Sequence, residues 1–243
     1  MRVAALYDVH GNLPALEAVL ADPRCASADV VVCGGDLVVG PCPAQCLDAL
    51  ESLGERARFL MGNCDREAVL VPADGSLGPV ARWCNERLGR ERVSRVARWP
   101  ATVELEVDRS GSVLFCHATP TSDLPILTRA TPEEDVLDEL GEITADLVVC
   151  GHTHVQYDRR VGGIRLVNAG SVGMPYEGSP EARWALLDDE GLELVTTAYD
   201  ARAALESLER TRFPLFRQWF VPMLNGEVTA EEATESFESR RGA

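Results

Sequence analysis

The stretch VAALYDVHGN, residues 3–12, joins a short apolar run to a polar cluster. Its apolar part, VAALY at 3–7, has the length and composition of a buried strand, and LPALEAVLAD at 13–22 then places apolar residues at helical spacing. Apolar runs also precede polar clusters in VVVCGGD at 30–36 and RFLMGNCD at 58–65. Short buried strands that alternate with helices predict an α/β fold.

Other apolar runs complete the predicted sheets. VLFC at 113–116 and LVVC at 147–150 have the same character as the first strands. A second group of runs alternates in polarity or adjoins glycine turns, which favours antiparallel or mixed pairing. Its members are TVELEV at 102–107, IRLVN at 164–168, RWALLD at 183–188 and LELVTTAY at 192–199. We therefore expect two facing sheets with helices outside them.

Two further segments, PAQCLDALESLG at 43–54 and TPEEDVLDEL at 131–140, have the pattern of helices. In the second, Thr131 is predicted to cap the helix, with Pro132 at the first helical position and Glu134 completing a capping box.

Residues 66–100 depart from the alternation and are predicted to form two or three helices without a strand, as a small insertion beside the site. Three residues are expected to separate these helices: Pro72, Gly75 and Pro79. Trp83 and Trp99 are assigned to the core rather than to ligand binding.

The chain length of 243 residues suits one domain, 1–243, with a large buried core. Its last part, about 200–243, is predicted to be a C-terminal helical tail, helical through 200–210 and frayed beyond. The first residues lack the pattern of a signal peptide, and no apolar run approaches the roughly 20 residues that span a bilayer. We therefore expect a cytoplasmic protein with no membrane partner.

Charge and cysteine content exclude some classes of function. The net charge of −16 argues against a stable nucleic-acid complex, because binding to a phosphate backbone requires clustered Lys and Arg. Eight cysteines are scattered along the chain without a C-x-x-C pair, which predicts reduced and mostly buried thiols.

Polar clusters follow five of the predicted strands: DVH at 8–10, GGD at 34–36, GNCD at 62–65, CH at 116–117 and GHTH at 151–154. Ligands of α/β sheets collect beyond the carboxyl ends of the strands, so these clusters are expected to converge. All four histidines of the chain lie in them: His10, His117, His152 and His154.

Together these clusters predict a metal site. Seven side chains are candidate ligands: Asp8, His10, Asp36, Asn63, His117, His152 and His154. Seven are too many for one zinc ion but suit two divalent ions that share a carboxylate, and mixed N and O ligation fits manganese, iron, zinc or magnesium. Two ions about 4 Å apart can clamp a phosphoryl group.

The ordered motifs DxH, GGD, GNxD, H and GHxH resemble those of the calcineurin-like metallophosphoesterases. The resemblance covers roughly residues 1–175 and is greatest to small bacterial and archaeal phosphodiesterase-like members, which have segments similar to DVHGNLPALEAVL and VNAGSVG. It implies a four-layer α-β-β-α sandwich with a dinuclear centre at the sheet edge, with manganese favoured.

The resemblance also implies a role for each candidate ligand. The first ion would be bound by Asp8, His10 and His154, and the second by Asn63, His117 and His152. Asp36 would bridge them. Two carboxylates, a hydroxide and two divalent ions leave the centre positive by about one charge, so it can attract a phosphate despite the acidic chain.

The implied reaction is in-line attack on phosphorus by metal-bound hydroxide, with Asn63 stabilising the developing charge. Asp36, Asn63, Cys64, Asp65 and His117 are the candidate catalytic residues. Many relatives have histidine in place of Cys64, and a thiol replaces imidazole poorly as a general acid. We therefore expect slow cleavage of monoesters and better cleavage of diesters, and Asp65, without its usual partner, is free to hold a loop.

Other residues leave alternatives open. Asn12 and the loop 168–173 either approach the site or form turns, and Arg66 and Arg129 either contact phosphate or lie on the surface.

The favoured function is a phosphodiesterase acting on nucleotide-like or other small phosphoester substrates, with the insertion setting the substrate. A dinucleoside polyphosphate hydrolase and a phosphoprotein phosphatase share the same centre. A scaffold protein similar to a metallophosphoesterase-like retromer subunit, or a sensor of one metal ion, are the alternatives outside catalysis. The sequence does not indicate the oligomeric state.

Overall fold

The computed structural model describes residues 1–70 and 78–241 and contains two five-stranded sheets. The first has the order β10-β9-β1-β2-β3, formed by Gly191–Thr197, Ala182–Asp188, Val3–Leu6, Val30–Cys33 and Ala57–Phe59. The second has the order β4-β5-β6-β8-β7, formed by Thr102–Val107, Gly111–Cys116, Leu147–Cys150, Ile164–Asn168 and Tyr157–Val161. Both sheets are mixed, as the sequence patterns predict. In the first, β1, β2 and β3 pair in parallel while β9 and β10 are antiparallel additions; in the second, a parallel centre of β5, β6 and β8 has antiparallel edges.

Helices accompany these strands in chain order. The described α-helices are α1 Leu13–Ala21, α2 Pro23–Ala26, α3 Pro43–Glu51, α4 Asn63–Leu70, α5 Gly78–Val96, α6 Glu133–Leu140, α7 Ala201–Glu209, α8 Phe216–Leu224 and α9 Ala230–Glu238. A 3₁₀ turn at Gly54–Arg56 precedes β3.

The two sheets face each other, because alternate residues of each strand point to opposite sides. Val3 and Ala5 of β1 pack with Phe115 and Val149 of the other sheet in a cluster between the sheets. The outer face of the first sheet packs against α1, α3, α5, α7 and α8, and the outer face of the second packs against α6. The predicted four-layer α-β-β-α arrangement is therefore confirmed.

The predicted strands are all present to within about two residues of the expected bounds. One further strand, Tyr157–Val161, was not predicted. Its sequence YDRRV places charged residues between its buried ends, as suits an edge strand, and carries no continuous apolar run.

The predicted cap of α6 is wrong. This helix begins at Glu133 after Pro132, and it has no side-chain cap. The hydroxyl of Thr131 instead accepts a hydrogen bond from the Thr128 N–H and donates one to Glu238. Tertiary contact with α9 therefore replaces the local capping box.

The predicted insertion contains α5 and most of α4, and its described residues contain no strand. Pro79 lies in the first turn of α5 rather than between helices, and α5 bends at Gly89, where φ is +74°. Pro72 and Gly75 lie outside the described residues. Trp99 stacks on Phe59 with ring centroids 4.9 Å apart, and Trp83 meets Phe213 edge-on at 5.4 Å, so both tryptophans pack against the core as predicted.

The C-terminal tail is helical as predicted, but the expectation that it frays after residue 210 is wrong. Two more helices follow, α8 and α9, and α9 begins with a capping box between Thr229 and Glu232. Glu238 near the end of α9 accepts hydrogen bonds from Thr128 and Thr131. The helix is therefore fixed to the loop before α6.

The state of the cysteines and the length of the helices bear on the class of protein. All eight cysteines are free thiols, and seven of them are buried, as predicted. Within residues 1–70 and 78–241, no helix combines the length and apolar character needed to cross a bilayer.

Candidate metal centre

The predicted ligands lie just beyond the carboxyl ends of strands in both sheets. Asp8 and His10 follow β1, Asp36 follows β2 and Asn63 begins α4 beyond β3. From the facing sheet, His117 follows β5, and His152 and His154 follow β6. The two sheets therefore present all seven side chains at one edge.

Distances confirm that the donor atoms converge. His154 Nε2 lies 3.3 Å from Asp8 Oδ1 and 3.2 Å from His10 Nε2. On the other side, His117 Nε2 lies 3.5 Å from Asp36 Oδ2 and 3.0 Å from Asn63 Oδ1. Among the described residues, three overlapping groups with the spacing of metal ligands result: Asp8, His10 and His154; His10, Asp36 and Cys64; and Asp8, Asp36 and His117.

Three of the imidazoles are oriented by backbone carbonyls. The Nδ1 atoms of His10, His117 and His154 lie 3.2, 3.0 and 2.8 Å from the carbonyl oxygens of Val39, Gly34 and Met174, respectively. A carbonyl can only accept, so each Nδ1 carries a proton. In the neutral rings of His10 and His154, Nε2 then presents its lone pair to the centre, whereas His117 Nε2 donates to the amide oxygen of Asn63 at 3.0 Å until a cation takes the place of that proton. This is the arrangement in which a neighbouring carbonyl orients a metal-binding histidine.

The fourth histidine, His152, is half-buried beside His117, with ring centroids 5.1 Å apart. Its backbone N–H donates to Asp8 Oδ2 at 2.9 Å. Burial and the neighbouring His117 lower the pKa of His152 to about 4, which keeps its ring neutral.

The candidate ligands lie on a strained backbone. Asp8, His10, Asp36, His152 and His154 all have positive φ, between +45° and +68°. Seven non-glycine residues of the described chain have this conformation, and these five are among them. Left-handed backbone costs a non-glycine residue about 1–3 kcal/mol and concentrates at functional sites. These five conformations therefore lower the stability of the fold, and the surrounding structure must hold them.

One buried atom lacks a partner. Asp8 is completely buried, and its Oδ1 makes no hydrogen bond with any described residue. The facing Nε2 atoms of His10 and His154 bring lone pairs rather than protons to the same place. A divalent cation satisfies all three atoms at once, so these residues fit the metal that the sequence predicts.

Two glycines make room for the carboxylates. A Cβ on Gly62 would overlap Asp36 Oδ1, and a Cβ on Gly151 would overlap Asp8 Oδ2. At these positions the sequence needs glycine because a ligand occupies the space.

Both central carboxyl groups are held ionised. Burial alone raises the pKa of Asp36, but the charge and hydrogen bonding of His117 outweigh burial and lower it. Burial likewise raises the pKa of Asp8, and the interaction with His154 more than offsets this. Burial lowers the pKa of His117, yet the Asp36 carboxylate raises it to about 10. The centre is therefore a place where positive charge is stabilised.

Cys64 and Asp65 have separate surroundings. Cys64 is half-buried; its N–H donates to Asp36 Oδ1 at 2.8 Å, and burial together with Asp36 raises the pKa of its thiol well above the usual range. Asp65 is fully buried and accepts from the N–H groups of Leu37 and Val38, each at 2.9 Å. Asp65 therefore holds the loop that carries Asp36, and burial raises the pKa of Asp65 to about 7.

The remaining candidates are engaged elsewhere. Arg66 forms a bidentate ion pair with Asp123, and Arg129 pairs with Glu231. Asn12 caps α1 and donates to the carbonyl of Gly173. These contacts are structural.

A cavity of about 620 Å³ opens over the centre. One side is formed by candidate ligands and Cys64, while the opposite side comes from α8, α9 and the residues around them. Sequence reasoning missed four of these residues: Tyr176, Trp219, Phe237 and Arg240. No motif marks them, and the only signal was a helical pattern in the tail, so tertiary placement of α8 and α9 was needed to find them.

Comparison with known proteins gives consistent results. Residues 1–191 match the family model described as the calcineurin-like phosphoesterase superfamily domain. The uncharacterised protein MJ0912 of Methanocaldococcus jannaschii is 26% identical over 234 residues, which cover 87% of this chain and 93% of that protein. Phosphodiesterase YfcE of Escherichia coli K12 is 24% identical over 204 residues, 80% of this chain and 91% of YfcE.

A solved structure supports the fold. The metallophosphoesterase from Sphaerobacter thermophilus superimposes with a TM-score of 0.75 at 23% identity, covering 93% of this chain and all of that chain.

Proposed function

We propose that this chain, which belongs to the calcineurin-like phosphoesterase superfamily, is a dinuclear metal-dependent phosphodiesterase acting on nucleotide-like substrates. The observation that carries the proposal is the set of inward-facing donors at the sheet edge. The Nε2 lone pairs of His10 and His154 and an unpartnered carboxylate oxygen of Asp8 face one another there, beside the Asp36 carboxylate. Such a set has no use in packing and suits divalent cations.

The ligands divide into two groups around a shared carboxylate. One ion would be held by Asp8, His10 and His154, the other by Asn63, His117 and His152, with Asp36 between them. Bound divalent ions, manganese being favoured, would supply Lewis acidity and a hydroxide nucleophile at neutral pH.

The protein side chains hold the phosphoryl group and orient the donors. Asn63 Oδ1 lies 3.0 Å from His117 Nε2, which places the Asn63 amide at the mouth of the cavity, where its N–H groups can donate to a phosphate oxygen. Asp65 fixes the loop of Asp36 through two backbone hydrogen bonds. These residues act by positioning, which is the main contribution a protein makes to phosphoryl transfer.

Cys64 favours esters with good leaving groups. It lies at the cavity beside Asp36, and its thiol is neutral and a weak donor, so it gives little help to a poor leaving group. General acid catalysis typically contributes about 10²–10⁴ in rate. An ester with a good leaving group needs that help least.

The test compares bis-p-nitrophenyl phosphate with p-nitrophenyl phosphate on protein stripped of metal and reloaded with manganese. We expect faster cleavage of the diester, two manganese ions per chain by elemental analysis, and no activity in Asp36→Ala. Binding of two ions without cleavage of either ester would overturn the catalytic proposal and favour a binding or scaffold role. Equal activity in Asp36→Ala would overturn the assignment of the centre.

A further inference from the structure

The outer wall of the cavity is formed by the C-terminal part of the chain. Gln218, Trp219 and Pro222 of α8 line it, as do Phe237 of α9 and Arg240 just beyond. All of these residues follow the part of the chain that the family model matches, which ends at residue 191. None of the described residues of the predicted insertion lines this cavity. The tail, rather than the insertion, therefore faces the metal centre.

A row of rings leads from the centre to this wall. The imidazole of His154 stacks on Tyr176 with centroids 4.7 Å apart and planes at 23°. Tyr176 in turn lies 6.3 Å from Phe237, whose ring carries the Arg240 guanidinium at 4.8 Å. Trp219 is half-buried and lines the same cavity. The surface beside the centre thus suits a planar aromatic group.

The guanidinium of Arg240 has no carboxylate partner among the described residues. Its Nε donates to the carbonyl of Ser236 at 3.1 Å, and among the described residues it forms no ion pair with a carboxylate. The carboxylates of the wall are already engaged, since Glu227 accepts from Asn225 and Glu232 belongs to the capping box of α9. In a chain of net charge −16, an unpaired arginine in this cavity is free to bind an anionic ligand.

The wall is held in place by contacts outside the cavity. The neighbouring Arg241 pairs with Asp135 of α6, and Glu238 accepts from Thr128 and Thr131. The backbone N–H of Gly178 donates to the carbonyl of Val228. These contacts fix α9, so Arg240 and the rings form a preorganised surface.

We propose that this wall selects phosphodiesters whose retained group is a nucleotide with a second phosphate. The scissile phosphate lies at the metal centre, the nucleobase stacks between Trp219 and the ring row, and the second phosphate binds Arg240 at the far end of the row. A cavity of about 620 Å³ is large enough for a ligand of this size. The inference rests on the proposed function and adds the substrate class.

Three esters with the same p-nitrophenyl leaving group test it on the manganese-loaded protein. They are methyl p-nitrophenyl phosphate, thymidine 5′-(p-nitrophenyl phosphate) and thymidine 3′-phosphate 5′-(p-nitrophenyl phosphate). The shared leaving group keeps the chemical step constant, while the retained group gains first a nucleoside and then a second phosphate. We expect kcat/KM to rise about tenfold at each addition, as stacking and one charge-assisted contact allow.

Matched variants separate the two contributions. Arg240→Met keeps an unbranched aliphatic side chain without the charge and should abolish only the rise that the second phosphate gives. Trp219→Leu should abolish only the rise that the nucleoside gives. Arg202→Met, at an exposed arginine of α7 outside the cavity, is the control and should retain both rises. A far-UV circular dichroism spectrum and a Tm like those of the wild type show that each variant is folded.

The outcomes distinguish the two proposals. Equal kcat/KM for the three esters in the wild-type protein, or both rises surviving in Arg240→Met and Trp219→Leu, would overturn the selective wall and leave the phosphodiesterase intact. No cleavage of any of the three esters would overturn the proposed function itself.

Discussion

Asp8→Asn separates the metal-free stability of the centre from its metal binding. Asp8 Oδ2 already accepts from the His152 N–H, while Oδ1 has no partner and lies 3.3 Å from His154 Nε2. Since Nδ1 of His154 faces the Met174 carbonyl, its Nε2 can only accept. An asparagine amide placed at Oδ1 would donate to that nitrogen and remove a buried unsatisfied atom.

The two states should respond in opposite directions. A net hydrogen bond is worth about 1 kcal/mol and a buried unsatisfied group costs about 1–3 kcal/mol, so the metal-free variant should be more stable than the metal-free wild type by about 1–3 kcal/mol. Each manganese ion at one hundred times its Kd stabilises a binding protein by about 2.7 kcal/mol. Because 1 kcal/mol shifts the Tm of a domain of this size by about 2–4 °C, each bound ion should raise the wild-type Tm by about 5–11 °C. The variant should lose the part of the rise that comes from the ion that Asp8 would hold.

Calorimetric Tm values of stripped and manganese-loaded protein provide the measurement. Asp158→Asn is the control. Asp158 is exposed on the edge strand β7, where it pairs with Arg165 of β8, so its substitution should leave the manganese shift unchanged. A metal-free Asp8→Asn protein that melts below the wild type would refute the reasoning about the unpartnered oxygen. An undiminished manganese shift would refute the assignment of Asp8 as a ligand.

Three further predictions concern the loops around Asp36. Gly62→Ala should weaken manganese binding by at least about tenfold in titration calorimetry, because the new Cβ overlaps the Asp36 carboxylate; Gly54→Ala, whose Cβ meets nothing within 4 Å, should bind normally, and equal affinities would contradict this. Asp65→Ala should lower the free energy of unfolding in urea by about 2–4 kcal/mol, because two buried N–H groups lose their acceptor, and a change below about 1 kcal/mol would argue against its loop-holding role. Cys64→His should raise the rate on phenyl phosphate relative to p-nitrophenyl phosphate by at least about tenfold, because phenolate is the poorer leaving group and needs a general acid more; an unchanged ratio would show that the thiol does not limit the expulsion of poor leaving groups.

The centre could be predicted from the sequence because its residues follow local signals. Each ligand cluster comes directly after an apolar run, and parallel strands bring their carboxyl ends to one edge. The left-handed conformations of Asp8 and Asp36 could not be predicted, because local preference disfavours them for non-glycine residues and only tertiary packing holds them.

The outer wall could not be predicted for a related reason. The pattern of α8 and α9 indicates helices but not where they dock, since Glu238 is fixed by threonines more than a hundred positions earlier in the chain. The same contacts engage the Thr131 hydroxyl, which the local sequence predicts as the cap of α6. Arg129 has the charge to bind a phosphate, yet it pairs with Glu231 of α9. Arg240 forms no ion pair with a described carboxylate, and no short motif indicates which of the two arginines is paired.

The candidate ligands and the outer wall of the cavity lie in different parts of the chain. All seven candidate ligands lie between residues 8 and 154, within the part that the family model matches, and the wall opposite them begins at residue 218. The contacts that hold α9, from Glu238 and Arg241, involve none of the ligands. Substitutions at exposed positions of this wall, such as Arg240, can therefore change the charge of the cavity while the contacts that fix α9 stay in place. On this reasoning the tail is where members with the same centre can differ in substrate, and the motifs at the strand ends predict the reaction better than they predict the molecule on which it acts.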